Sequence, residues 1–359
     1  MRNFFMNLFL TFAFCIISVS SLHAVKAYPY PIVVRQPDGS EVTIKIYGNE
    51  FRHLKTTIDD YPVKQNAKGF WTYAILDNTG KLKETEYIAR DVEKRSIREK
   101  QFLNSLKDEK NSFQRIKSIN PIVKKTKQPI LRKAYPLTNS PKSLVILVNF
   151  KDKSFVTPEA QIVFHDMLNQ SDYNANGATG SARDYFMSSS YGNFSPIFDV
   201  VGPFDLDKDM SYYGANDDSG YDINPAALIV DACTAANAAG IDFTQYDTDN
   251  DGLIDNVFVY YAGYNEAEGA DENTIWPHRW VVYTKEENPV YYTYDGTIAS
   301  VTFDNKRLYD YACSSELKGN SGTNMAGIGT FCHEFGHVLG LPDYYHTEED
   351  KETLNGWDI

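Results

Sequence analysis

The stretch from His333 to Asp343, His-Glu-Phe-Gly-His-Val-Leu-Gly-Leu-Pro-Asp, constrains the fold and chemistry of this chain more than any other. On an α-helix, residues four positions apart lie on the same face, so His333 and His337 would point in one direction. Two imidazoles at this spacing can bind one Zn²⁺. Glu334 lies beside them, where its carboxylate can take a proton from a water molecule at the metal.

Two further residues extend the motif. Gly340 can end the helix in a left-handed turn, which a Cβ would disfavour. Such a turn would bring Asp343 back towards the metal as a third ligand, leaving one position open, as a catalytic zinc site requires. The sequence therefore predicts a catalytic zinc site with Glu334 as general base. Its three protein ligands are His333, His337 and Asp343.

Three alternatives stay open. An H-E-x-x-H motif can occur by chance in a helix with solvated histidines, although the offsets of Gly340 and Asp343 disfavour this. A zinc peptidase of the other major type would take its third ligand from a downstream helical glutamate, and Glu348 and Glu349 are the candidates if Asp343 is not the ligand. The third alternative is an inactive, exported binding protein that is stabilised by calcium and has a degenerate zinc fold.

The N-terminus predicts an exported protein. Arg2 is the only early charge, residues 4–19 are mostly apolar, and small-residue cleavage options follow at Ala24 and Ala27. We therefore expect residues 1–27 to be a signal peptide. An uncleaved membrane anchor is the alternative, but polar residues dilute the run and no basic cluster follows it. No other stretch is long and apolar enough to span a membrane, so none remains after signal removal.

Charge divides the chain into a basic and an acidic part. Residues 28–135 hold 22 Lys and Arg against 13 Asp and Glu, whereas residues 136–359 hold 11 against 35. A basic segment can be a nucleic-acid or membrane arm, or it can dock on an acidic body. The export signal favours docking, so we expect no nucleic-acid partner.

The remaining chain divides into three predicted segments. Residues 28–110 predict a small β-rich region, because apolar and polar side chains alternate between turns, with a charged helix at its end. Residues 111–138 are polar and basic and contain prolines, which predicts an exposed linker with cleavage sites for a trypsin-like protease at Lys124-Lys125 and Arg132-Lys133. Residues 139–359 follow an α/β pattern. Its elements are expected at residues 144–148 and 257–261 as strands, and at 158–170, 181–189 and 225–240 as helices.

A second metal site is predicted at residues 247–255. Oxygen ligands recur on alternate positions, and Gly252 permits the sharp bend of an EF-hand-type loop, although Phe258 at the twelfth position excludes a full EF-hand. The carboxylates would repel one another without a cation, so we predict a structural Ca²⁺ ion; a solvated acidic turn is the alternative. The predicted ligands are the side chains of Asp247, Asp249, Asp251 and Asp255 and the carbonyl of Leu253.

Three cysteines follow the signal, namely Cys233, Cys313 and Cys332. An odd number in an exported protein permits one disulfide and one thiol. Cys313 and Cys332 flank the loop that leads into the zinc helix and are the preferred pair; burial of all three as small apolar side chains is the alternative. His278 could lie near the cleft, although a packed or surface position is favoured. His346 is a rival ligand or substrate contact, although a surface position is favoured.

With these motifs the chain resembles the metzincin group of zinc endopeptidases and, more narrowly, the immune-inhibitor-A-like family of secreted bacterial metallopeptidases. The resemblance covers about residues 140–359, and residues 28–90 resemble the pro-region of the relatives. It rests on the zinc motif and on the phrases Ser181-Ala-Arg-Asp-Tyr-Phe, Tyr191-Gly-Asn-Phe and Ile275-Trp-Pro-His.

The resemblance implies a metzincin-like α/β domain, with a mixed twisted sheet, a backing helix and an active-site helix below the cleft. It implies hydrolysis of peptide bonds in proteins or peptides, secreted from or at the surface of a bacterium. The N-terminal region would act as an intramolecular inhibitor of a latent precursor. Relatives continue with a Met-turn whose methionine underlies the zinc. Because Ile359 is the last residue, we expect the domain to be truncated before that turn.

Overall fold

A computed structural model of the chain describes residues 27–49, 52–77, 81–106, 135–137, 140–217, 220–282 and 301–341. These residues form an N-terminal unit, residues 27–106, and a larger body that begins at residue 135. The segment 1–26, most of the predicted linker, and both Asp343 and His346 lie outside the described residues. Within the described part of the chain, no helix is both long and apolar enough to cross a lipid bilayer.

The N-terminal unit consists of two three-stranded antiparallel sheets and a helix, which confirms the predicted hairpins. A capping box at Ser96 and Glu99 starts the helix, since each side chain accepts a hydrogen bond from the backbone N–H of the other residue. The elements are β1 (Ile32–Arg35), β2 (Glu41–Asn49), β3 (Arg52–Thr57), β4 (Val63–Gln65), β5 (Trp71–Leu76), β6 (Leu82–Ile88) and α1 (Ile97–Ser105).

The body is built around a five-stranded sheet. The body contains the strands β7 (Lys142–Asn149), β8 (Ile197–Asp205), β9 (Val257–Tyr261), β10 (His278–Val281), β11 (Thr302–Phe303), β12 (Lys306–Arg307) and β13 (Asp310–Ser315), of which β11 and β12 pair only with each other, as a separate hairpin. Its helices are α2 (Ala160–Asn169), α3 (Ala182–Ser189), α4 (Met210–Gly214), α5 (Pro225–Ala238) and α6 (Ile328–Val338). The large sheet has the order β10-β13-β9-β7-β8, in which β10 is an antiparallel edge strand and the other pairs are parallel. The predicted mixed α/β sheet is therefore confirmed.

Both faces of this sheet are covered. Leu144, Ile146 and Val148 of β7 pack on the face that α5 covers, and Val145 and Leu147 pack on the face that α2, α3 and α6 cover. A strand buried on both faces has no position at which a polar side chain reaches water. This explains the continuous apolar run of β7.

The backing helix α5 begins at Pro225, as its sequence predicts. Proline is suited to the first helical position because its missing N–H would have no partner there. The amide of Asn224 does not cap the helix. It donates instead to the carbonyl of Tyr212, at 2.7 Å, and so joins the start of α5 to α4.

A buried carboxylate joins the loops at one end of the sheet. Glu316 directly follows β13 and is fully buried. Its Oε1 accepts hydrogen bonds from the N–H groups of Val156 and Thr157, at 2.9 and 2.7 Å, and from the Thr157 hydroxyl at 2.7 Å. Its Oε2 accepts a hydrogen bond from the Gly263 N–H at 3.1 Å. These donors replace the lost hydration of the carboxylate and tie three chain segments together.

Replacing this carboxylate by an amide tests how much it stabilises the fold. In Glu316→Gln the new NH₂ group would face at least one N–H donor, so we expect the free energy of unfolding to fall by about 2 kcal/mol. Urea denaturation followed by circular dichroism measures it. Glu159→Gln changes an exposed glutamate close to the same loop and should leave stability unchanged. Equal unfolding midpoints in the two variants would show that Glu316 does not stabilise the fold.

Candidate metal centre

Two aromatic side chains set the rotation of α6 about its axis. Phe331 and Phe335 are fully buried and lie one turn apart. Both pack edge-on against Phe198 of β8, with ring centroids 4.9 and 5.1 Å away. His333 and His337 each follow one of these phenylalanines by two residues, which is a rotation of about 200°. The histidine face of the helix therefore points away from this core.

The two histidine side chains converge. The Nε2 atoms of His333 and His337 lie 3.1 Å apart, and the two rings stand nearly perpendicular, at 79°. Two nitrogen ligands of one tetrahedral Zn²⁺, each about 2.0–2.1 Å from the metal, would be roughly 3.3 Å apart. The geometry of the two imidazoles therefore fits a shared zinc ion.

The turn after the helix fixes the tautomer of His337. The Nδ1 atom of His337 lies 2.8 Å from the carbonyl oxygen of Leu341, and because a carbonyl can only accept, Nδ1 must carry the proton. In a neutral imidazole this leaves the Nε2 lone pair for a metal. Gly340 makes the turn possible with φ of 90°, which confirms the predicted left-handed conformation.

Glu334 lies between the two histidines along α6 and is fully buried. A carboxylate at such a position has lost its hydration, and its environment must compensate for that loss. It directly follows His333, which is the position that the H-E-x-x-H motif gives to the predicted general base. The third predicted ligand, Asp343, lies outside the described residues, as do Glu348 and Glu349.

The acidic loop brings together part of the predicted calcium-ligand set. Carboxylate oxygens of Asp247, Asp249 and Asp255 all lie within 4.8 Å of one another. Asp251 is not part of this group, and its Oδ1 accepts a hydrogen bond from the N–H of Leu253 at 2.9 Å. Gly252 has φ of 89°, as the predicted bend requires.

A lysine from the neighbouring hairpin reaches into this loop. Lys306 Nζ lies 2.6 Å from Asp247 Oδ2 and supplies one positive charge. Burial raises the pKa of Asp255 to about 6, although hydrogen bonds from Thr248 oppose the rise, and the charges of Asp249 and Asp247 add to it. The lysine thus pairs with Asp247, while the pKa of Asp255 stays raised.

The predicted disulfide is wrong. Cys313, Cys332 and Cys233 are separate, buried thiols. Cys313 belongs to the core on the α5 face of the sheet, and Cys332 belongs to the core on the α6 face. A disulfide requires Cβ atoms about 4.5 Å apart or closer, which side chains on opposite faces do not reach. The alternative interpretation, burial as small apolar side chains, describes these cysteines, and burial raises the pKa of Cys332 and Cys233.

His278 is a packed residue, in agreement with the sequence analysis. It is buried on β10, with Nδ1 2.7 Å from the carbonyl oxygen of Trp276 and Nε2 2.9 Å from the hydroxyl of Tyr311. Burial lowers its pKa to about 4. The side chain is therefore neutral at ordinary pH and orders the start of the edge strand.

The sequence analysis missed one cluster of ionisable side chains. Two side chains of the N-terminal unit meet Glu266 of the body, Lys55 as a buried ion pair and His53 through a ring nitrogen. One feature of the sequence could have indicated this cluster. In β3 the polar residues His53, Lys55 and Thr57 share one face of the strand. A charged residue at an inward position of a strand requires a partner, and the sequence alone does not name it.

Comparison with known proteins shows which family the chain resembles. A profile described as "Immune inhibitor A peptidase M6, catalytic domain" matches residues 135–359. The chain is similar to Immune inhibitor A of Bacillus thuringiensis subsp. alesti, with 28% identity over 201 residues, which are 49% of this chain and 27% of that protein. It is also similar to Pre-pro-metalloprotease PrtV of Vibrio cholerae serotype O1 (strain M66-2), with 25% identity over 293 residues, 70% of this chain and 30% of that protein.

The chain thus spans less than a third of the length of these two relatives. Among solved structures, metalloproteinase-II from Bacteroides fragilis aligns over 93% of this chain and 90% of that chain, with 12% identity and a TM-score of 0.26. The family match covers well over half of the chain and includes the convergent histidines of α6. The chain belongs to the immune inhibitor A peptidase M6 family of metallopeptidases, and its match lies in the catalytic domain.

Proposed function

We propose that this protein is a secreted zinc-dependent endopeptidase that hydrolyses peptide bonds in proteins and is made as a latent precursor. The observation that carries the proposal is the convergence of the His333 and His337 Nε2 atoms beside the buried Glu334. Membership of a peptidase family supports the reaction class. The name of the Vibrio relative, Pre-pro-metalloprotease, supports a leader and a pro-region.

Each residue of the centre has one role in this proposal. His333 and His337 hold Zn²⁺ through Nε2, and Asp343 supplies the third ligand. When bound, zinc activates a water molecule for attack and polarises the substrate carbonyl. Glu334 accepts the proton of the attacking water and passes it to the leaving amine. The carbonyl of Leu341 holds His337 in the tautomer that can bind the metal.

Removing the general base should separate catalysis from metal binding. We expect Glu334→Gln in the full-length gene product to retain zinc and to lose casein hydrolysis by about 10²–10⁴-fold, the usual contribution of a general base. Elemental analysis and a casein cleavage assay measure the two properties, and Glu159→Gln is the matched control. Cleavage at the wild-type rate would remove Glu334 from this role. Absence of cleavage in wild type as well would favour the alternative, an inactive, exported, calcium-stabilised binding protein.

The third ligand can be identified by zinc retention. We expect Asp343→Ala to lose zinc on dialysis, because two imidazoles alone leave the ion weakly held. His346→Ala removes the nearest rival ligand and should keep zinc. Zinc content per chain is the readout. The reverse pattern would assign the position to His346, and retention in both variants would move it to Glu348 or Glu349.

We propose that residues 28–110 are a pro-region, that residues 111–138 are a linker, and that residues 139–359 are the peptidase domain. The N-terminal unit contacts loop 262–277, which leads from β9 into the edge strand β10. Its Val33 carbonyl also accepts a hydrogen bond from Asn320, in the loop that precedes α6. These contacts support latency because both loops adjoin elements that pack with the zinc helix.

We propose that residues 1–27 contain the signal for secretion. Ala27 is buried, and its N–H donates to the carbonyl of Gly48 at 3.0 Å. A residue that takes part in the folded N-terminal unit is best retained after processing. This supports Ala24 over Ala27 as the cleavage point.

We also propose that loop 247–255 binds a structural Ca²⁺ ion. Support comes from the three carboxylates that converge within 4.8 Å and from the positive φ of Gly252. Oxygen ligands of this kind and an irregular loop suit Ca²⁺. The ion would fix the segment that enters the central strand β9.

Calcium should therefore raise the thermal stability of the protein. At a concentration about 100 times the dissociation constant, a ligand stabilises the folded state by about 2.7 kcal/mol. We expect calcium to raise Tm in wild type relative to an EGTA-treated sample, and to raise it much less in Asp249→Asn. Asp242→Asn, an exposed aspartate outside the loop, should respond like wild type. An identical response of all three proteins would place calcium elsewhere, and no response in wild type would leave the loop as a solvated turn.

A further inference from the structure

The body presents an acidic socket to the N-terminal unit, formed by Glu266, Glu272, Asp222 and Asn216. Glu266 lies at its centre with an exposed fraction of 0%. The side-chain amide of Asn216 donates to both Glu266 oxygens, at 2.9 and 3.1 Å, and so fixes the orientation of the carboxylate. Asp222 borders the socket and accepts a hydrogen bond from the N–H of Trp276 at 3.1 Å.

A single lysine of the N-terminal unit occupies the socket. Lys55 Nζ lies 2.6 Å from Glu266 Oε1 and 3.6 Å from Glu272 Oε1. Only 3% of Lys55 is exposed, and its ammonium also lies 5.1 Å from the centre of the Trp71 ring. Lysine is rarely buried to this extent unless its charge is paired. The socket is thus observed with a basic side chain in place.

The strand that carries Lys55 has an inverted polarity pattern. Lys55 is paired with Ile46 across the sheet, and His53 with Gly48, so both side chains lie on the face that Ile46 directs into the core. Leu54 projects from the opposite face. An ordinary half-buried strand would place leucine inward and lysine outward. The acidic partners that the body supplies at this position explain why lysine lies inward on β3 and leucine outward.

His53 forms a second contact with Glu266. Its Nε2 lies 3.1 Å from Glu266 Oε1, and its ring stacks on Trp276 with centroids 4.7 Å apart and an interplanar angle of 23°. Trp276 belongs to the body, yet it is buried in the core of the N-terminal unit. His53 and Lys55 thus hold β3 in one position and orientation against the body.

The electrostatics of the socket require a cation. Burial alone would lower the pKa of Lys55, but Glu266 and Glu272 overcome this and raise it, so the side chain is charged. Burial alone would raise the pKa of Glu266, but Lys55 and His53 lower it to about 2. Asp222 has a strongly raised pKa, first from burial and then from the charge of Glu266. Without Lys55 the socket would hold carboxylates that burial makes unfavourable.

Apolar contacts surround the ionic ones. Ile32 packs directly on Gly269, where an added Cβ would lie 2.9 Å from Ile32 Cδ1. Ala267 is buried in the core of the N-terminal unit, and its carbonyl accepts a hydrogen bond from the N–H of Tyr28 at 2.9 Å. Apolar and backbone contacts thus accompany the buried pair of Lys55 and Glu266. A charge pair in such surroundings is costly to break by removal of one partner.

We propose that the acidic socket is a recognition site for a lysine side chain, and that Lys55 seated in it keeps the N-terminal unit bound to the body after the chain between them is cut. The inference deepens the proposed latency, on which it rests for its biological meaning. Cleavage between the two parts is then insufficient for their separation. A second event that removes the lysine from the socket must follow.

Cutting the chain at one place tests this directly. A recognition sequence for a site-specific protease is placed between Lys124 and Lys125 of the full chain, and the cut protein is followed by size-exclusion chromatography and sedimentation velocity. We expect the two wild-type parts to remain associated at micromolar concentration. In Lys55→Met, which keeps the apolar stem and removes the charge, we expect the dissociation constant to rise by about 100-fold or more.

Two further variants serve as controls. Lys45→Met removes a half-buried ion pair with Asp60 that lies wholly inside the N-terminal unit, and it should leave the dissociation constant unchanged. Glu272→Gln weakens the rim of the socket and should raise the constant by about 10-fold, and it provides the test if uncut Lys55→Met does not fold by circular dichroism.

The proposal is overturned if the two parts of the cut wild-type protein separate. It is also overturned if Lys55→Met, Glu272→Gln and the control Lys45→Met all have the same dissociation constant. Neither readout involves zinc or peptide hydrolysis. If the protein proves to have no peptidase activity, the association of the cut parts can still be measured. If the cut parts separate, the proposed peptidase activity is still open to its own test.

Discussion

The packing of one helix on one sheet face determines the geometry of the candidate centre. Phe331 and Phe335 lock α6 onto β8 and β9, and the helical repeat then fixes the direction in which the histidines point. Displacement of either ring would rotate His333 and His337 together. The aromatic core is thus part of the site without touching it. Its dense packing also fixes the helix on which the two histidine nitrogens lie 3.1 Å apart.

Buried carboxylates in this protein differ in what compensates them, and the difference separates structural from functional roles. Glu316 is compensated by backbone N–H groups and a hydroxyl of its own body, so it stabilises loops permanently. Glu266 is compensated mainly by Lys55, a residue of another unit, so its compensation depends on docking. Glu334 lies beside two converging imidazoles, where the chemistry of a metal would act on it. The same residue type thus stabilises loops at Glu316 and meets a basic partner of another unit at Glu266, and at Glu334 it is proposed to transfer a proton.

The sequence predicted what depends on short-range pattern. The strand of residues 142–149, the hairpins of the N-terminal unit, the left-handed Gly340 and the shared face of His333 and His337 all follow from spacing within a few residues. The contact of Lys55 with Glu266 spans 211 positions, and no local pattern encodes such a distance. The preferred disulfide was wrong for a related reason. Proximity of Cys313 and Cys332 along the chain says nothing about which sheet face each one occupies.

Trp276 links the two parts in a way that has a spectroscopic consequence. Its indole is 2% exposed and is stacked against an imidazole of the N-terminal unit. Departure of that unit would transfer the ring from an apolar contact to water, and an indole emits at longer wavelength in a polar medium. The protein therefore carries an intrinsic fluorophore at the interface between the N-terminal unit and the body. The emission wavelength of Trp276 would report, without any label, whether the N-terminal unit is bound to the body.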